Sequence, residues 1–338
     1  MPEPRTVGTV VVAYPWDAND ETLAPLRERL PDLSIEAAPY FGAFAHHVPG
    51  ASDTLSDAER AVWASAEVAI ALDVPKGLGE VAPNLRWIQA IGAGIDHLLD
   101  ADLPADVTVT NAAGVAAAPI AEFAIGRLVE VWKRFDLLDE QQRTKTWKPV
   151  FGRLAEGQTL GVIGLGAIGS EVAVRARAFG MHTIGTRRSY RPGLTHPAVD
   201  ELLGADDLHE VLGRCDAVVV SAPGTADTEN LFDATAFAAM KPGAIFCNVG
   251  RGSLVDEGAL IAALESGHLG AAILDVTRNE PMADDDPLWD APNIYISPHC
   301  STSQDRYTDK LFALFADNLG RYARGEELRN VVDLTAGY

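Results

Sequence analysis

The chain of 338 residues is long enough for about two domains and a substantial buried core. Its 27 basic and 48 acidic residues give a net charge of −21, which argues against a nucleic-acid or anionic-membrane partner. The three cysteines, Cys215, Cys247 and Cys300, are isolated and show neither a disulfide framework nor zinc-ligand spacing, so we expect no metal site. With no signal-peptide pattern and no apolar run of transmembrane length, the sequence predicts a cytoplasmic protein.

The first part of the chain predicts an α/β unit of its own, because short apolar strands alternate with an amphipathic helical segment. The predicted strands are Thr6–Tyr14, Glu67–Asp73 and Leu85–Ala90, and the predicted helix is Glu21–Leu30. A long helix is predicted at Pro119–Asp139, with its proline near the start, where the missing N–H costs little. The polar stretch Glu140–Gln158 leads into the second part.

Beyond this stretch, strands and helices alternate, which predicts parallel strands with crossover helices in a doubly wound α/β sheet. The predicted strands are Thr159–Ile163, Met181–Thr186, Ala217–Ser221, Ala244–Asn248, Ala271–Asp275 and Ile294–Ser297. The predicted helices are Ser170–Phe179, Asp207–Gly213 and Glu257–Gly267. A final helix is predicted at Thr302–Arg324, and it could return to the first domain.

The run Gly164-Leu165-Gly166-Ala167-Ile168-Gly169 lies between a predicted strand and a predicted helix. There the first glycine permits a tight turn, the second lets phosphates approach bare backbone, and the third lets the helix pack close to the strand. A pyrophosphate would meet unpaired N–H groups and the positive end of the helix dipole. This setting predicts dinucleotide binding at Gly164, Gly166, Ala167, Ile168 and Gly169.

Three polar residues follow predicted strands, namely Arg251, Glu280 and His299. Because ligands of open α/β sheets bind beyond the carboxyl ends of strands, we expect these side chains to converge. Singly, each has an ordinary explanation as a solvated, loop or structural residue. Together they suit hydride transfer to a 2-oxo acid, in which an arginine holds the carboxylate, a histidine protonates the carbonyl oxygen and a carboxylate orients the histidine.

Over nearly its whole length the chain resembles the D-isomer-specific 2-hydroxyacid dehydrogenases, in particular those of the glyoxylate/hydroxypyruvate reductase type. The matching stretches, in order, are Ala93–Asp96, Asn111–Val115, Ala121–Phe123, the glycine turn, Met240–Gly243, Asn248–Gly252, Leu274–Val276, Glu280–Pro281 and Pro298–His299. The resemblance implies two doubly wound parallel-sheet domains, with a Rossmann-type dinucleotide-binding domain (112–301) inserted into a flavodoxin-like substrate-binding domain (1–111 and 302–338). It also implies a homodimer formed through the cofactor domain.

The same resemblance implies a role for each site residue. Arg251 anchors the substrate, and Glu280 partners His299, which acts as the acid/base. Backbone N–H groups near Ala93 and Gly94 would hold the substrate carboxylate. The implied cofactor contacts are Asp275, beside the nicotinamide carboxamide, and Ala222, Pro223, Thr228, Val249, Gly250, His299 and Ser301.

One departure from the expected pattern bears on the cofactor. An NAD enzyme should carry Asp or Glu at the end of the second strand, roughly 20 residues past the glycine turn, to bind the ribose 2′-OH. This chain has Arg187 in that place, followed by Arg188. Arginine there can pair with a 2′-phosphate, although two arginines at a strand end can also simply be solvated. We therefore predict NADP(H) as the cofactor, with NAD(H) as the alternative.

Several smaller features leave alternatives open. Cys300 either lies near the mouth of the active site or fills a small buried space. An aromatic and histidine cluster either lines an apolar pocket or belongs to the core or a surface loop, and Trp147 is a similar case. The cluster consists of Tyr40, Phe41, Phe44, His46 and His47. We expect a structural role for His97.

Related activities can be weighed by single positions. Formate dehydrogenases carry glutamine in the place of Glu280, and phosphite dehydrogenases carry lysine in the place of Ala93, which argues against both. A phosphoglycerate-type NAD dehydrogenase stays open, although no long C-terminal regulatory extension follows. A non-catalytic dinucleotide-sensing corepressor or scaffold also stays open, because such proteins can keep the same three residues. The favoured prediction is an oxidoreductase that reduces a small-molecule 2-oxo acid to a D-2-hydroxy acid with NADPH.

Overall fold

The computed structural model describes residues 7–13, 20–42, 54–99, 101–303 and 305–335 of the chain. Within these ranges the strands are β1 Thr9–Ala13, β2 Ile35–Ala37, β3 Ala66–Ala71, β4 Trp87–Ala90, β5 Thr108–Thr110, β6 Thr159–Ile163, β7 His182–Arg187, β8 Glu201–Gly204, β9 Ala217–Val220, β10 Ala244–Asn248, β11 Leu269–Leu274 and β12 Ile294–Ile296. The α-helices are α1 Asp20–Arg29, α2 Asp57–Ser65, α3 Leu78–Val81, α4 Asp96–Leu99, α5 Ala117–Lys133, α6 Phe135–Thr144, α7 Ala167–Ala178, α8 Leu208–Arg214, α9 Ala234–Ala239, α10 Glu257–Glu265 and α11 Tyr307–Arg324.

The chain divides into two compact units. Unit 1 comprises Met1–Val115 and Gln304–Tyr338, and unit 2 comprises Ala116–Ser303. The divisions fall a few residues after the expected boundaries at 111/112 and 301/302. Helix α11 belongs to unit 1, where it packs against α1. Among the helices in the described ranges, none is both long enough and apolar enough to cross a membrane.

The sheet of unit 1 has the order β2-β1-β3-β4-β5 in the described residues, and each neighbouring pair is parallel. Alternate residues of β1 enter two separate apolar clusters: Val10 and Val12 pack in one, and Val11 and Ala13 in the other. Both faces of the sheet are therefore covered, as is typical of parallel sheets. This strand order is that of the flavodoxin-like fold, so the predicted fold of this unit is confirmed.

The sheet of unit 2 has the order β12-β11-β10-β9-β6-β7-β8 in the described residues, again with parallel neighbours. In β9, Val218 and Val220 pack in one apolar cluster, whereas Ala217 and Val219 pack in the other. The chain leaves β6 toward β7 and later returns to β9 on its other side. The strand order therefore reverses between β6 and β9, and this Rossmann-type order confirms the predicted fold.

The predicted long helix at Pro119–Asp139 is wrong, because α5 and α6 are separate helices. Arg134 between them has a left-handed backbone (φ 57°), which interrupts the helical hydrogen-bond ladder. Its guanidinium binds both carboxylate oxygens of Asp136, at 3.0 and 3.1 Å, and so holds this break. Helix α6 also takes up the first residues of the stretch predicted to be a polar connection, and it ends before Lys145 (φ 54°).

Candidate active site

The candidate site residues of unit 2 lie at the carboxyl ends of its strands, in the order of the sheet. From one side to the other these are His299 after β12, Asp275 and Glu280 after β11, Arg251 after β10, Ala222 after β9, Gly164 after β6 and Arg187 at the end of β7. Adjacent strands lie about 4.8 Å apart, so the four spacings from β12 to β6 span roughly 19 Å. The three candidate catalytic residues are therefore on one side, and the glycine turn and Arg187 are on the other.

The glycine turn between β6 and α7 needs two of its glycines for close packing. Gly164 has φ 94°, and a Cβ on it would lie 2.6 Å from the backbone nitrogen of Ala222. A Cβ on Gly169 would lie 2.5 Å from the carbonyl oxygen of Gly164. The remaining glycine, Gly166, faces open space, because a Cβ there would meet nothing within 4 Å. The backbone at Gly166 is thus open to a ligand.

Helix α7 begins at this open backbone. The first N–H of its hydrogen-bond ladder is that of Ser170, which donates to the carbonyl of Gly166 at 3.0 Å. The preceding amides, of Ala167, Ile168 and Gly169, have no acceptor within the helix, and the N-cap residue Gly166 has no side chain to supply one. These amides and the helix dipole fit a pyrophosphate.

Arg187 lies one strand away from this turn. Strands β6 and β7 pair Ile163 with Thr186, and the N–H of Leu165 donates to the carbonyl of Thr186 at 2.8 Å. Arg187 and Arg188 are both exposed. Within the part of the chain that the structure describes, the guanidinium of Arg187 makes no ion pair. It is therefore available to an anionic ligand beside the glycine turn.

His299 and Glu280 form a hydrogen-bonded pair, with 2.8 Å between His299 Nδ1 and Glu280 Oε2. The other carboxylate oxygen of Glu280 accepts the N–H of Thr277 at 3.0 Å. Burial favours the neutral acid, but the hydrogen bond and charge of His299, the Thr277 N–H and the charge of Arg251 outweigh it, so the pKa of Glu280 lies below its ordinary value. Because Nδ1 is bound to Glu280, Nε2 is the ring nitrogen left for a substrate.

The loop that carries Arg251 packs directly on the loop that carries Glu280. A Cβ on Gly252 would lie 2.0 Å from the backbone of Thr277, so only glycine permits this approach. The buried side chain of Asn248 shapes the turn, since it donates to the carbonyl of Arg251 at 2.8 Å and accepts the N–H of Gly250 at 3.0 Å. Close packing of the two loops explains why the charge of Arg251 acts on Glu280.

Arg278 ties three strand-end loops together. Its guanidinium pairs with Glu229 at 2.6 Å and donates to the carbonyls of Ser253 and Val255 at 3.1 and 2.9 Å. These partners follow β9 and β10, whereas Arg278 itself follows β11. Sequence reasoning missed Arg278, because its partners lie far away in the chain. It missed Asn248 because residue type alone does not show that this side chain binds the turn that follows it.

Asp275 holds the segment that contains His299. One of its oxygens accepts the Ser297 hydroxyl at 2.8 Å and the N–H groups of Cys300 and Ser301 at 3.0 Å, and the other accepts the Ser301 hydroxyl. In addition, the N–H of His299 donates to the carbonyl of Asp275 at 2.8 Å. His299 itself has φ 49°, a left-handed conformation that is uncommon outside glycine. The buried carboxylate therefore holds the chain on both sides of this residue, through the Ser297 hydroxyl before it and through two backbone N–H groups after it.

The remaining expected cofactor residues lie at the same edge of the sheet. Ala222 follows β9, and the Thr228 hydroxyl donates to the carbonyl of Pro223 at 2.8 Å. Val249 and Gly250 follow β10 and are buried. A Cβ on Gly250 would lie 2.8 Å from the carbonyl oxygen of Ala222, so these two strand ends touch.

In unit 1, Ala93 and Gly94 follow β4, as the expected carboxylate-binding position requires. The imidazole of His97 lies 2.5 Å from the carbonyl oxygen of Leu72, a contact of the kind that a structural histidine makes. Tyr40 is buried in the core of unit 1. Of the other members of the predicted aromatic and histidine cluster, Phe41 is half-buried. Phe44, His46 and His47 lie outside the described residues.

Trp147 and Cys300, two further residues considered in the sequence analysis, are exposed in unit 2. The side chain of Trp147 is fully exposed, so it belongs neither to the core nor to a closed pocket within the chain. Cys300 is also exposed and directly follows His299, which is contrary to a role as a small buried filler.

Comparisons with known proteins show which family has this arrangement. The family model of the D-isomer specific 2-hydroxyacid dehydrogenase NAD binding domain matches residues 125–301. A D-3-phosphoglycerate dehydrogenase from Mycobacterium leprae is 35% identical over 259 residues, which are 76% of this chain and 48% of that enzyme. This chain thus matches about half the length of that relative.

Two solved structures cover almost all of the chain. A D-isomer specific 2-hydroxyacid dehydrogenase from Xanthobacter autotrophicus Py2, in complex with NADPH and MES, has a TM-score of 0.84 and 28% identity, covering 98% of this chain and 100% of that one. An NADPH-dependent glyoxylate/hydroxypyruvate reductase from Sinorhizobium meliloti, in complex with NADP and sulfate, has a TM-score of 0.79 and 27% identity, covering 98% and 99%. Because the family model spans more than half of the chain, this chain belongs to the D-isomer specific 2-hydroxyacid dehydrogenases, a family that binds NAD(P).

Proposed function

We propose that the protein reduces a 2-oxo acid to the D-2-hydroxy acid with NADPH as the preferred cofactor. The observation that carries the proposal is the His299–Glu280 pair, with Arg251 on the adjoining loop, in the same sheet edge as the glycine turn. A proton donor, a cation and a dinucleotide cradle are the three parts that reduction of a charged carbonyl compound requires.

The cofactor site favours NADPH over NADH. The open backbone at Gly166 and the first amides of α7 suit the pyrophosphate that both cofactors share. The 2′-phosphate distinguishes the two, and Arg187 stands at the end of β7, where an NAD enzyme would need a carboxylate. Arg188 adds a second cation next to it.

In the proposed mechanism the nicotinamide, when bound, supplies a hydride to the carbonyl carbon of the substrate. Arg251 binds the substrate carboxylate and stabilises negative charge on the carbonyl oxygen. His299 donates the proton from Nε2 to that oxygen, which completes the hydroxyl group. Glu280 holds the ring through Nδ1 and so leaves Nε2 directed at the substrate. The backbone amides of Ala93 and Gly94 bind the substrate carboxylate.

A panel of substrates tests this proposal. Purified protein is mixed with NADPH or NADH and with glyoxylate, hydroxypyruvate, 3-phosphohydroxypyruvate or a 2-oxo acid that has an apolar side chain, and cofactor absorbance is followed. We expect oxidation of NADPH with at least one of these acids, and a product of D configuration. Absence of turnover with the whole panel, by a protein that still binds NADPH, would refute the reductase and favour the dinucleotide-sensing corepressor or scaffold.

A phosphoglycerate-type NAD dehydrogenase is the second candidate, and the 35% identity to the mycobacterial enzyme favours it. Arg187 argues against it, because the ribose of NAD prefers a carboxylate at that position. The same panel separates the two functions. Higher kcat/KM for 3-phosphohydroxypyruvate with NADH than for the other acids with NADPH would establish the second candidate.

We also propose a homodimer formed through unit 2. Large apolar side chains are exposed along residues 135–154, namely Phe135, Leu137, Leu138, Trp147, Phe151 and Leu154. An isolated protein rarely exposes so many neighbouring apolar side chains, so we expect a second copy to cover them. Light scattering after gel filtration should give a dimer for the wild type and a shift to monomer for Trp147→Ser/Phe151→Ser. A monomeric wild type would refute the assembly.

The isolated thiols suit a reducing, cytoplasmic compartment.

A further inference from the structure

We propose that Tyr307 and Asn111 are positioning residues that aim the backbone amides of the 91–94 loop at the substrate carboxylate. This inference rests on the proposed function, in which these amides bind that carboxylate. Neither side chain needs to touch the substrate. Each acts by holding a carbonyl on the opposite side of the same peptide groups.

The first restraint comes from α11. The hydroxyl of Tyr307, at the first residue of that helix, donates a hydrogen bond to the carbonyl of Ile91. Burial raises the pKa of this hydroxyl to about 12, so it stays protonated and remains a donor at neutral pH. The helix is itself fixed on β4, because the ring of Phe315 stacks on Trp87 at 5.2 Å. Tyr307 therefore reaches the loop from a rigid support.

The second restraint comes from the end of β5. The side-chain amide of Asn111 donates to the carbonyl of Ala93 at 2.9 Å, and its oxygen accepts the N–H of Ala113 at 3.0 Å. The next backbone N–H, that of Ala112, donates to the carbonyl of Gly92 at 2.8 Å. The carbonyls of residues 91, 92 and 93 are thus all held by donors, two of which are side chains.

Peptide geometry converts these restraints into amide direction. In a trans peptide the C=O of one residue and the N–H of the next point in opposite directions. Fixing the carbonyls of residues 91, 92 and 93 therefore turns the N–H groups of Gly92, Ala93 and Gly94 away from the groups that hold the loop. Among the described residues, none accepts a hydrogen bond from these three N–H groups. Three consecutive open amides form the kind of concave site that binds an anion.

The test removes one donor and keeps the packing. In the full-length protein, Tyr307→Phe deletes only the hydroxyl, and Tyr322→Phe is the matched control, since it deletes a hydroxyl on the same helix that donates to Glu67 instead. With saturating NADPH we measure KM and kcat for the best 2-oxo acid. We also measure NADPH binding by fluorescence and oxalate binding to the NADPH-loaded protein by calorimetry.

We expect Tyr307→Phe to raise KM and the Kd of oxalate by roughly three- to tenfold, the range of one lost hydrogen bond, with kcat and NADPH binding unchanged. Asn111→Asp, which replaces the donor by an anion, should raise both constants further. Tyr322→Phe should change neither. Unchanged KM and oxalate binding in both Tyr307→Phe and Asn111→Asp would overturn the inference. So would a weakening of NADPH binding equal to that of oxalate binding. If the wild type is active, either of these outcomes refutes only the positioning role and leaves the proposed function intact. A wild type that reduces no 2-oxo acid refutes the proposed function itself.

Discussion

Replacing Arg187 by alanine should remove the proposed preference for NADPH while leaving catalysis with NADH intact. Arg187 is exposed at the end of β7, one strand from the glycine turn, and makes no ion pair within the described ranges. A 2′-phosphate, like other phosphate monoesters, carries about −1.5 to −2 charges at pH 7, and NADH has only a hydroxyl there. The side chain therefore acts on one cofactor and not on the other.

The size of the effect follows from this exposed setting. A hydrogen bond to a charged group contributes about 1.5–3 kcal/mol, and an exposed site belongs to the lower part of that range. We expect kcat/KM for NADPH to fall by roughly ten- to thirtyfold in Arg187→Ala. The chain has a net charge of −21, so its overall field repels NADPH more strongly than NADH. A cation beside the 2′-phosphate offsets this repulsion locally. Arg187→Asp should lose more with NADPH and gain with NADH, since aspartate accepts the ribose hydroxyl.

The assay compares kcat/KM for both cofactors with one 2-oxo acid at low and high salt. Arg324→Gln is the control, because it removes the same net charge from an arginine that is paired with Glu326 in unit 1. The difference between wild type and Arg187→Ala with NADPH should shrink as salt rises. Equal losses with both cofactors, or no loss with NADPH, would refute the assignment of Arg187 to the 2′-phosphate.

Four further predictions concern the catalytic side of the sheet. His299→Ala should lower kcat by about 10²–10⁴-fold while fluorescence titration shows NADPH binding retained, and near-normal turnover would remove the acid/base assignment. Arg251→Ala should lower kcat/KM for the 2-oxo acid by about 10²–10³-fold, and a change in NADPH affinity alone would contradict its role as substrate anchor. The pKa of Glu280 lies below the ordinary 4.5, so its contribution to stability is full above that value and is lost as the pH falls through the lowered pKa. Urea unfolding should accordingly show an advantage of wild type over Glu280→Gln at neutral pH that disappears in acid, and a constant difference would disprove the linkage. Arg278→Met should lower kcat/KM through displacement of the Arg251 loop, with circular dichroism unchanged, and unaltered kinetics would show that the three loops hold their positions without it.

The sequence predicted most of unit 2 because its strands are continuous apolar runs bounded by turn residues. Strands β6 and β10 fall where the pattern places them, at Thr159–Ile163 and Ala244–Asn248. Strands β2, β5 and β8 were missed, since each is short and interrupted by polar residues, so it shows no apolar run, and its pairing with a neighbour decides its structure. The break at Arg134 was missed for a similar reason, because nothing in helix propensity requires a left-handed residue there.

The candidate site was predictable where residue type and strand end coincide, and not where a residue acts through distant backbone. Arg251, Glu280 and His299 carry chemical groups that suit the reaction and follow three neighbouring strands. Arg278 instead holds carbonyls of another loop, and Asn248 holds the turn that follows it; such contacts are visible only in three dimensions. The roles of Asn248 and Arg278 could therefore be assigned only from the folded structure.

The two carboxylates that follow β11 show how environment separates roles within a few residues. Asp275 is 2% exposed, and the donors to its carboxylate among the described residues come from the segment around His299, so it fixes the position of that segment. The side chain of Glu280 is 32% exposed, and one of its oxygens binds the imidazole. The direction of Nε2 requires both, because a ring is aimed only when its backbone and its second nitrogen are held together. Held at its backbone and at Nδ1, His299 presents Nε2 in one direction, as the proposed proton transfer requires.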